Sequence, residues 1–277
     1  MKLYKTDKGI VAEQDGNFQL GADISWDEFI NRDKAFASIS ADIKKWPTIS
    51  ADTFKTYKIL APIGQQEIWA AGVTYLRSRD ARMEESKDAG GGSFYDKVYA
   101  ADRPEIFFKA TAHRVVGTNE KVRIRKDSSW NVPEPELTLF INSSGKINGY
   151  TIGNDMSSRS IEGENPLYLP QAKSYDGSAA LGPCIYIPEQ PISPESEISI
   201  EIKRDNKIVF NGNIGINRMK RGHDELAGFL FRECSFPYGC FLMTGTGIVP
   251  PNEFTLLSGD EISIMIDHIG TLVNVVE

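Results

Sequence analysis

No stretch of the 277-residue chain approaches the roughly 18 consecutive apolar residues of a membrane span, so no spanning helix is expected. The start, Met1-Lys2-Leu3-Tyr4-Lys5-Thr6-Asp7-Lys8, carries charge where a secretory signal carries an apolar run, and no such signal is expected either. Cysteine is scarce. Cys184, Cys234 and Cys240 are odd in number and sit at no zinc-ligand spacing, which favours reduced thiols and a cytoplasmic protein. A basic block is lacking as well: 38 Asp and Glu against 31 Lys and Arg give a formal net charge of −7. Nucleic acid and anionic membrane both require clustered positive charge, so neither is an expected partner. The short run from Arg218 to Arg221 reads as a solvated helix start. There is no internal repeat, and no low-complexity segment beyond Gly90-Gly91-Gly92. What remains is 40% hydrophobic and 25% charged, the balance of a soluble globular protein with a sizeable core.

Residues 1–65 alternate short apolar runs with Asp/Gly turns and include one expected helix from Trp26 to Ala35; Leu60-Ala61-Pro62-Ile63 reads as a linker. From residue 66 the character is β. Three hairpins are the clearest elements: Glu136–Ile141 returning through Ile147–Gly153, Glu197–Lys203 returning through Lys207–Phe210, and Glu261–Asp267 returning through Thr271–Val276. A helix is expected from Tyr75 to about Ser86, and another from near Arg218 to Glu233. The chain is thus β-rich α+β, with a small N-terminal β domain (1–65) ahead of a larger domain (66–277), and not an alternating βαβ protein.

Chemistry concentrates in Pro133-Glu134-Pro135-Glu136. Side chains two apart on a strand share a face, so both carboxylates point the same way and repel unless a cation sits between them. The prolines stiffen that approach. The first hairpin of the larger domain brings Asp155 slightly past the level of Glu134, so three carboxylates can converge in the manner that holds magnesium. An exposed strand edge bearing solvated charge is the competing reading of a Glu-x-Glu alone.

In this light the chain resembles the fumarylacetoacetate hydrolase family from about residue 66 to its end. The motifs are Ala71-Gly72-Val73-Thr74-Tyr75, Phe107-Phe108-Lys109, Glu134-Pro135-Glu136, Asn154-Asp155-Met156-Ser157-Ser158-Arg159, Lys173-Ser174-Tyr175-Asp176-Gly177 with Gly182-Pro183, and Thr244-Gly245-Thr246-Gly247, in the family's order. The resemblance implies a mixed β-roll behind a small N-terminal β domain, commonly a homodimer or homotetramer. It also implies Glu134, Glu136 and Asp155 as ligands of Mg²⁺, for which Mn²⁺ or Ca²⁺ can substitute. Carbon–carbon hydrolases of the family carry Gly-x-Asn-Tyr-x-x-His, and here Ser78 stands at the histidine position. A neutral serine does not replace an imidazole as general base, and His113, His223 and His268 lie in other segments.

Tyr99–Glu105 leading into Ile106–Thr111, and Glu164–Gln171, resemble the sugar-acid dehydratase branch, which adds Glu105 and Lys173 as catalytic side chains. That implies a metal-dependent hydro-lyase acting on a 2-keto-3-deoxy sugar acid such as 2-keto-3-deoxy-D-arabinonate, giving 2,5-dioxopentanoate and water. Glu105 is then base or proton shuttle and Lys173 proton donor or partner of the enolate; the roles are interchangeable, and a Schiff base on Lys173 is a further option. Thr74, Tyr75, Arg79, Lys109 and Thr246 are candidate substrate contacts, Lys109 equally an ion-pair partner. Gly90–Gly92 is a candidate lid hinge. A hydrolase or decarboxylase of 2,4-diketo acids is the nearest alternative, and a non-catalytic 2-keto acid sensor belongs to a different class.

Overall fold

A computed structural model describes residues 1–85 and 92–277, the side chains of 85 and 92–94 excepted. The chain opens as a meander, β1 (Lys2–Thr6), β2 (Gly9–Gln14) and β3 (Asn17–Gly21), extended by the two-residue β4 (Thr48–Ile49). Two long strands follow, β5 (Glu67–Gly72) and β6 (Glu105–Thr111), and then the short β7 (Val115–Val116), β8 (Lys121–Val122) and β9 (Asn131–Val132). The central hairpin is β10 (Pro135–Ile141) with β11 (Ile147–Asp155), after which come β12 (Ser157–Ser158) and β13 (Ala179–Tyr186). The remaining strands are β14 (Glu197–Arg204), β15 (Lys207–Gly215), β16 (Cys240–Met243), β17 (Glu261–Ile266) and β18 (Gly270–Val276).

They form one large mixed sheet in the order β4-β3-β2-β1-β13-β11-β10-β16-β5-β6, a five-stranded sheet β15-β14-β17-β18-β8, and the small pair β12-β9. All three hairpins expected from the alternation of apolar and polar residues are present. Asp205 and Asn206 both adopt positive φ (50° and 61°), the turn chemistry of a tight hairpin. The N-terminal meander continues the large sheet, because β1 pairs with β13 through Lys2↔Tyr186 and Leu3↔Ile185.

Alternation along β10 explains the layering. Leu137, Leu139 and Ile141 point into a core shared with Ile198, Ile200, Ile262 and Ile264 of the five-stranded sheet. Phe140 points the other way, into a second core with Phe29, Ile30 and Ile39. Those last residues come from α1 (Trp26–Ile30) and α2 (Ala35–Ile43); α3 (Ala51–Lys55) follows. The single helix expected over Trp26–Ala35 is broken: Ser25 caps α1 by accepting from the Glu28 N–H, and Lys34 enters α2 in the left-handed region at φ 51°. Further on lie α4 (Leu76–Glu85), α5 (Gly92–Ala100), α6 (Arg159–Glu164), α7 (Leu169–Lys173) and α8 (His223–Leu230). The last helix is shorter than the pattern from Arg218 to Glu233 suggests, because Met219 and Gly222 are extended and only Gly222 starts the helix, its N–H donated to Glu225. Of the expected hinge, Gly90 and Gly91 lie outside the described residues. No helix among the described residues is long and apolar enough to cross a membrane.

Candidate active site

The site forms where β10 begins and β11 ends. Their register sets Pro135 opposite Asn154 and Glu136 opposite Gly153, and the Asp155 N–H donates to the Glu134 carbonyl at 3.0 Å. Glu134, Glu136 and Asp155 are all buried and each offers an oxygen within 4.8 Å of the others'. Burial alone favours the neutral form of a carboxyl, and the charges of Asp155 and Glu134 add to it, so the Glu136 carboxyl is pushed well above its usual range. One backbone donor faces it, the Gly245 N–H at 2.6 Å. Gly245 is a glycine for two reasons: its φ is +95°, and a Cβ there would lie 2.1 Å from the Thr74 hydroxyl. A buried, all-oxygen cluster whose charges repel suits a hard divalent cation, and these three residues are the ones that would hold it.

Glu134 differs from its neighbours. Burial opposes its ionisation, but Lys173, Arg159 and Arg82 together outweigh that cost and hold it far below the ordinary carboxylate value. Arg159 donates to its Oε1 at 2.6 Å and Arg82 to the same oxygen at 3.3 Å, while Lys173 takes Oε2. The Lys173 ammonium also reaches Asp155 Oδ2 at 3.0 Å and the Ser157 hydroxyl at 2.6 Å, so it sits inside the carboxylate cluster. Its position follows from α7, which ends at Lys173 with the Ser174 N–H returned to Pro170. Glu105, at the start of β6 opposite Gly72, lays its carboxylate over that glycine; a Cβ on Gly72 would stand 2.1 Å from Oε2. Burial raises the Glu105 carboxyl, and the charges of Arg82 and Lys173 resist the rise.

The remaining candidates separate. Thr246 lines the cleft together with Val73, Ser78, Arg82, Phe107 and Gly245. Lys109 stands behind the cluster: its ammonium holds Asp155 Oδ1 at 2.6 Å, the Met156 carbonyl at 3.0 Å and the Lys173 carbonyl, which is the ion-pair role. Thr74 spends its hydroxyl on the Thr244 carbonyl at 2.7 Å. Tyr75 is buried against Gly247, and its hydroxyl is raised by burial and by the charge of Glu136. Arg79 turns away, toward Asp80 at 2.7 Å, Asp96 at 3.6 Å and the ring of Tyr99. It is Arg82, on the next turn of α4, that faces the cleft. Between these groups Val73 is held at φ 54°, a costly conformation for a β-branched residue, of order 1–3 kcal/mol, and the neighbouring Thr74 is pinned on both sides.

Ser78, at the position of the hydrolase histidine, is occupied locally. Its hydroxyl accepts from the Tyr75 N–H at 3.3 Å and donates to the Tyr75 carbonyl at 2.8 Å, closing the start of α4. Sequence reasoning gave no role to Ser157, Arg159, Arg82 or Glu162. The first two lay in a segment already singled out, and Arg82 follows Ser78 at i+4, a spacing that places both on one helix face. The free volume of the cleft is only about 20 Å³. Larger surface hollows, such as the one of about 470 Å³ between Tyr150, Pro188 and His223, lie away from the carboxylates and bring no comparable chemistry together.

Comparison with known proteins finds relatives of both the sequence and the fold. A probable 2-keto-3-deoxyxylonate dehydratase of Haloferax volcanii is 45% identical over 237 residues, 85% of this chain and 81% of that one. The 2-dehydro-3-deoxy-D-arabinonate dehydratase of Saccharolobus solfataricus is 43% identical over 222 residues, covering 79% and 74%. The solved structure of 2-keto-3-deoxy-D-arabinonate dehydratase complexed with magnesium and 2,5-dioxopentanoate superposes with a TM-score of 0.86 at 34% identity, over 100% of this chain and 99% of that chain. The family model described as fumarylacetoacetate (FAA) hydrolase, C-terminal, matches residues 68–277, which span the cluster, Lys173 and every strand that positions them; the chain belongs to the fumarylacetoacetate hydrolase family.

Proposed function

We propose that the chain is a magnesium-dependent hydro-lyase that dehydrates a 2-keto-3-deoxy sugar acid, for the pentonate giving 2,5-dioxopentanoate and water. The observation that carries this reading is the buried triad Glu134, Glu136 and Asp155 with the Lys173 ammonium among its oxygens. It is supported by identities of 45% and 43% to two dehydratases of such acids. Bound magnesium would polarise the 2-keto group and acidify the proton on C3. Glu105, raised by burial and open to the charges of Arg82 and Lys173, takes that proton. Lys173 donates toward the departing C4 hydroxyl, which leaves as water. The enone so formed carries its hydroxyl on C5; moving a proton from C5 to C3 gives the C4–C5 enol, and shifting the enol's hydroxyl proton to C4 gives the aldehyde, with no external oxidant. Thr246 and Arg82 both line the cleft in which the acid would bind.

Ser78 is committed to the Tyr75 backbone, so a water-activating base of the hydrolase kind is not found at that position. A cytoplasmic homo-oligomer fits the same reading: all three cysteines are free, and Ile208, Val209 and Met265 leave apolar surface on the five-stranded sheet. The test is to supply purified protein and Mg²⁺ with a panel of 2-keto-3-deoxy pentonates and hexonates and follow loss of one water by mass. Dehydration of at least one is expected. Magnesium bound with every acid returned unchanged would reject the reading.

A further inference from the structure

Behind Glu134, away from the reacting groups, α6 presents two charges three residues apart. Arg159 is 2% exposed and donates to Glu134 Oε1 at 2.6 Å. Glu162 is 1% exposed, does not line the cleft, and pairs with Arg82 Nη1. The other terminal nitrogen of Arg82, Nη2, reaches Glu134 Oε1 at 3.3 Å. One planar guanidinium on α4 is therefore shared between a carboxylate of the cluster and a carboxylate outside it, and α4 and α6 pack together around the pair.

We propose that Glu162 is a positioning residue that holds Arg82 as a bridge and so sets how much of its positive charge acts on Glu134. The consequence is electrostatic and has a sign. A cation beside Glu134 competes with the divalent cation for that carboxylate, while an anion on the far side of the guanidinium offsets it. Neutralising Glu162 leaves more of the Arg82 charge acting on Glu134 and weakens cation binding. Neutralising Arg82 removes one of the three cations on Glu134, leaving Arg159 and Lys173, and strengthens that binding. A planar fork with two usable edges is needed for the bridge, which an ammonium cannot imitate. The inference rests on the reading of Glu134, Glu136 and Asp155 as a cation site, and not on the identity of the reaction.

The test is magnesium titration by calorimetry on the full chain, with folding followed by circular dichroism and no turnover required. Glu162→Gln is expected to weaken binding roughly tenfold, at the low end for outer partners of a metal site, and Arg82→Gln to tighten it by a similar factor. The double variant removes one charge of each sign and is expected within about threefold of the unmodified protein. A purely structural role would weaken both single variants or move neither, and either result overturns the inference. Where Glu162→Gln fails to fold, Arg82→Gln decides alone: tighter binding upholds the bridge, and unchanged or weaker binding removes it. An unmodified chain that binds no magnesium would instead overturn the cation-site reading, and this inference with it.

Discussion

Two buried carboxylates in this chain have opposite surroundings. Asp260 is fully buried beside the five-stranded sheet, and its oxygens are satisfied: Arg204 donates to Oδ1 and to Oδ2 at 2.7 Å each, and the Leu257 N–H adds 2.9 Å to Oδ2. Glu136 is equally buried, but it meets one backbone donor and two further carboxylates. The first arrangement is complete in itself. The second is opposed by the Lys173 ammonium, which does not stop the Glu136 carboxyl from rising, and a divalent cation would complete it; it lines a cleft in which Asp260 takes no part. Burial of charge therefore does not mark a functional site; burial without compensation does.

The largest effect that sharpens this contrast is on activity. Glu136→Gln should abolish magnesium binding and lower turnover by at least about a thousandfold, since it removes a ligand from the ion that activates the substrate. In metal-free protein the same change should stabilise the fold by about 1–3 kcal/mol, because a buried repelling group is replaced by a neutral isostere. Denaturant melts with and without Mg²⁺ measure both; retained turnover, or a metal-free loss of stability, breaks the contrast. Next comes Asp260→Asn, expected to destabilise by about 2–3 kcal/mol by leaving Arg204 half unpaired, reduced from the value for fully buried pairs because the Arg204 side chain is 31% exposed. Its turnover per folded molecule should match the unmodified enzyme.

Magnesium itself provides the third measure. At a hundredfold excess over its dissociation constant it should stabilise the unmodified chain by about 2.7 kcal/mol, the Asp260→Asn variant by the same amount, and the Glu136→Gln variant by nothing. Thermal melts at fixed protein concentration test all three, and a magnesium increment in Glu136→Gln would place the ion elsewhere.

The strands and turns of the hairpins were legible because period-two alternation and Asx/Gly turns are local signals: Asp205-Asn206 and the β10–β11 register follow from residues adjacent in sequence. The convergence of Glu134, Glu136 and Asp155 was legible for the same reason, since one hairpin carries all three. The part that escaped depends on distant packing. Whether Arg79 or Arg82 faces the cleft is a matter of about 60° of helix rotation against α6, which no pattern within α4 fixes. Lys109 was readable as a contact or as an ion pair, and only the approach of Asp155 from another strand decides for the pair. The N-terminal meander reads as a separate unit, yet its first strand completes the large sheet through residues some 180 positions away.

A third, half-buried group extends the comparison to the weakest effect. His223, at the start of α8, has neither the partners of Asp260 nor the crowding of Glu136, and its Nε2 has no hydrogen-bond partner among the described residues. It responds to burial by shedding its charge: desolvation lowers its pKa from 6.5, with only the nearby Asp224 pulling the other way. A base depressed in the folded state binds fewer protons there than in the unfolded chain, so its contribution is complete above about pH 6.5 and is lost as the pH falls through the depressed value. Between those limits the slope is at most about 1.4 kcal/mol per pH unit. His223→Gln should flatten that part of the stability profile while leaving turnover and magnesium binding unchanged, because the histidine lies in a hollow remote from the carboxylates. Urea midpoints taken from pH 7.5 to 5 on both proteins carry the test. Parallel profiles would mean that the histidine is already solvated, and that uncompensated burial in this fold is confined to the carboxylate cluster.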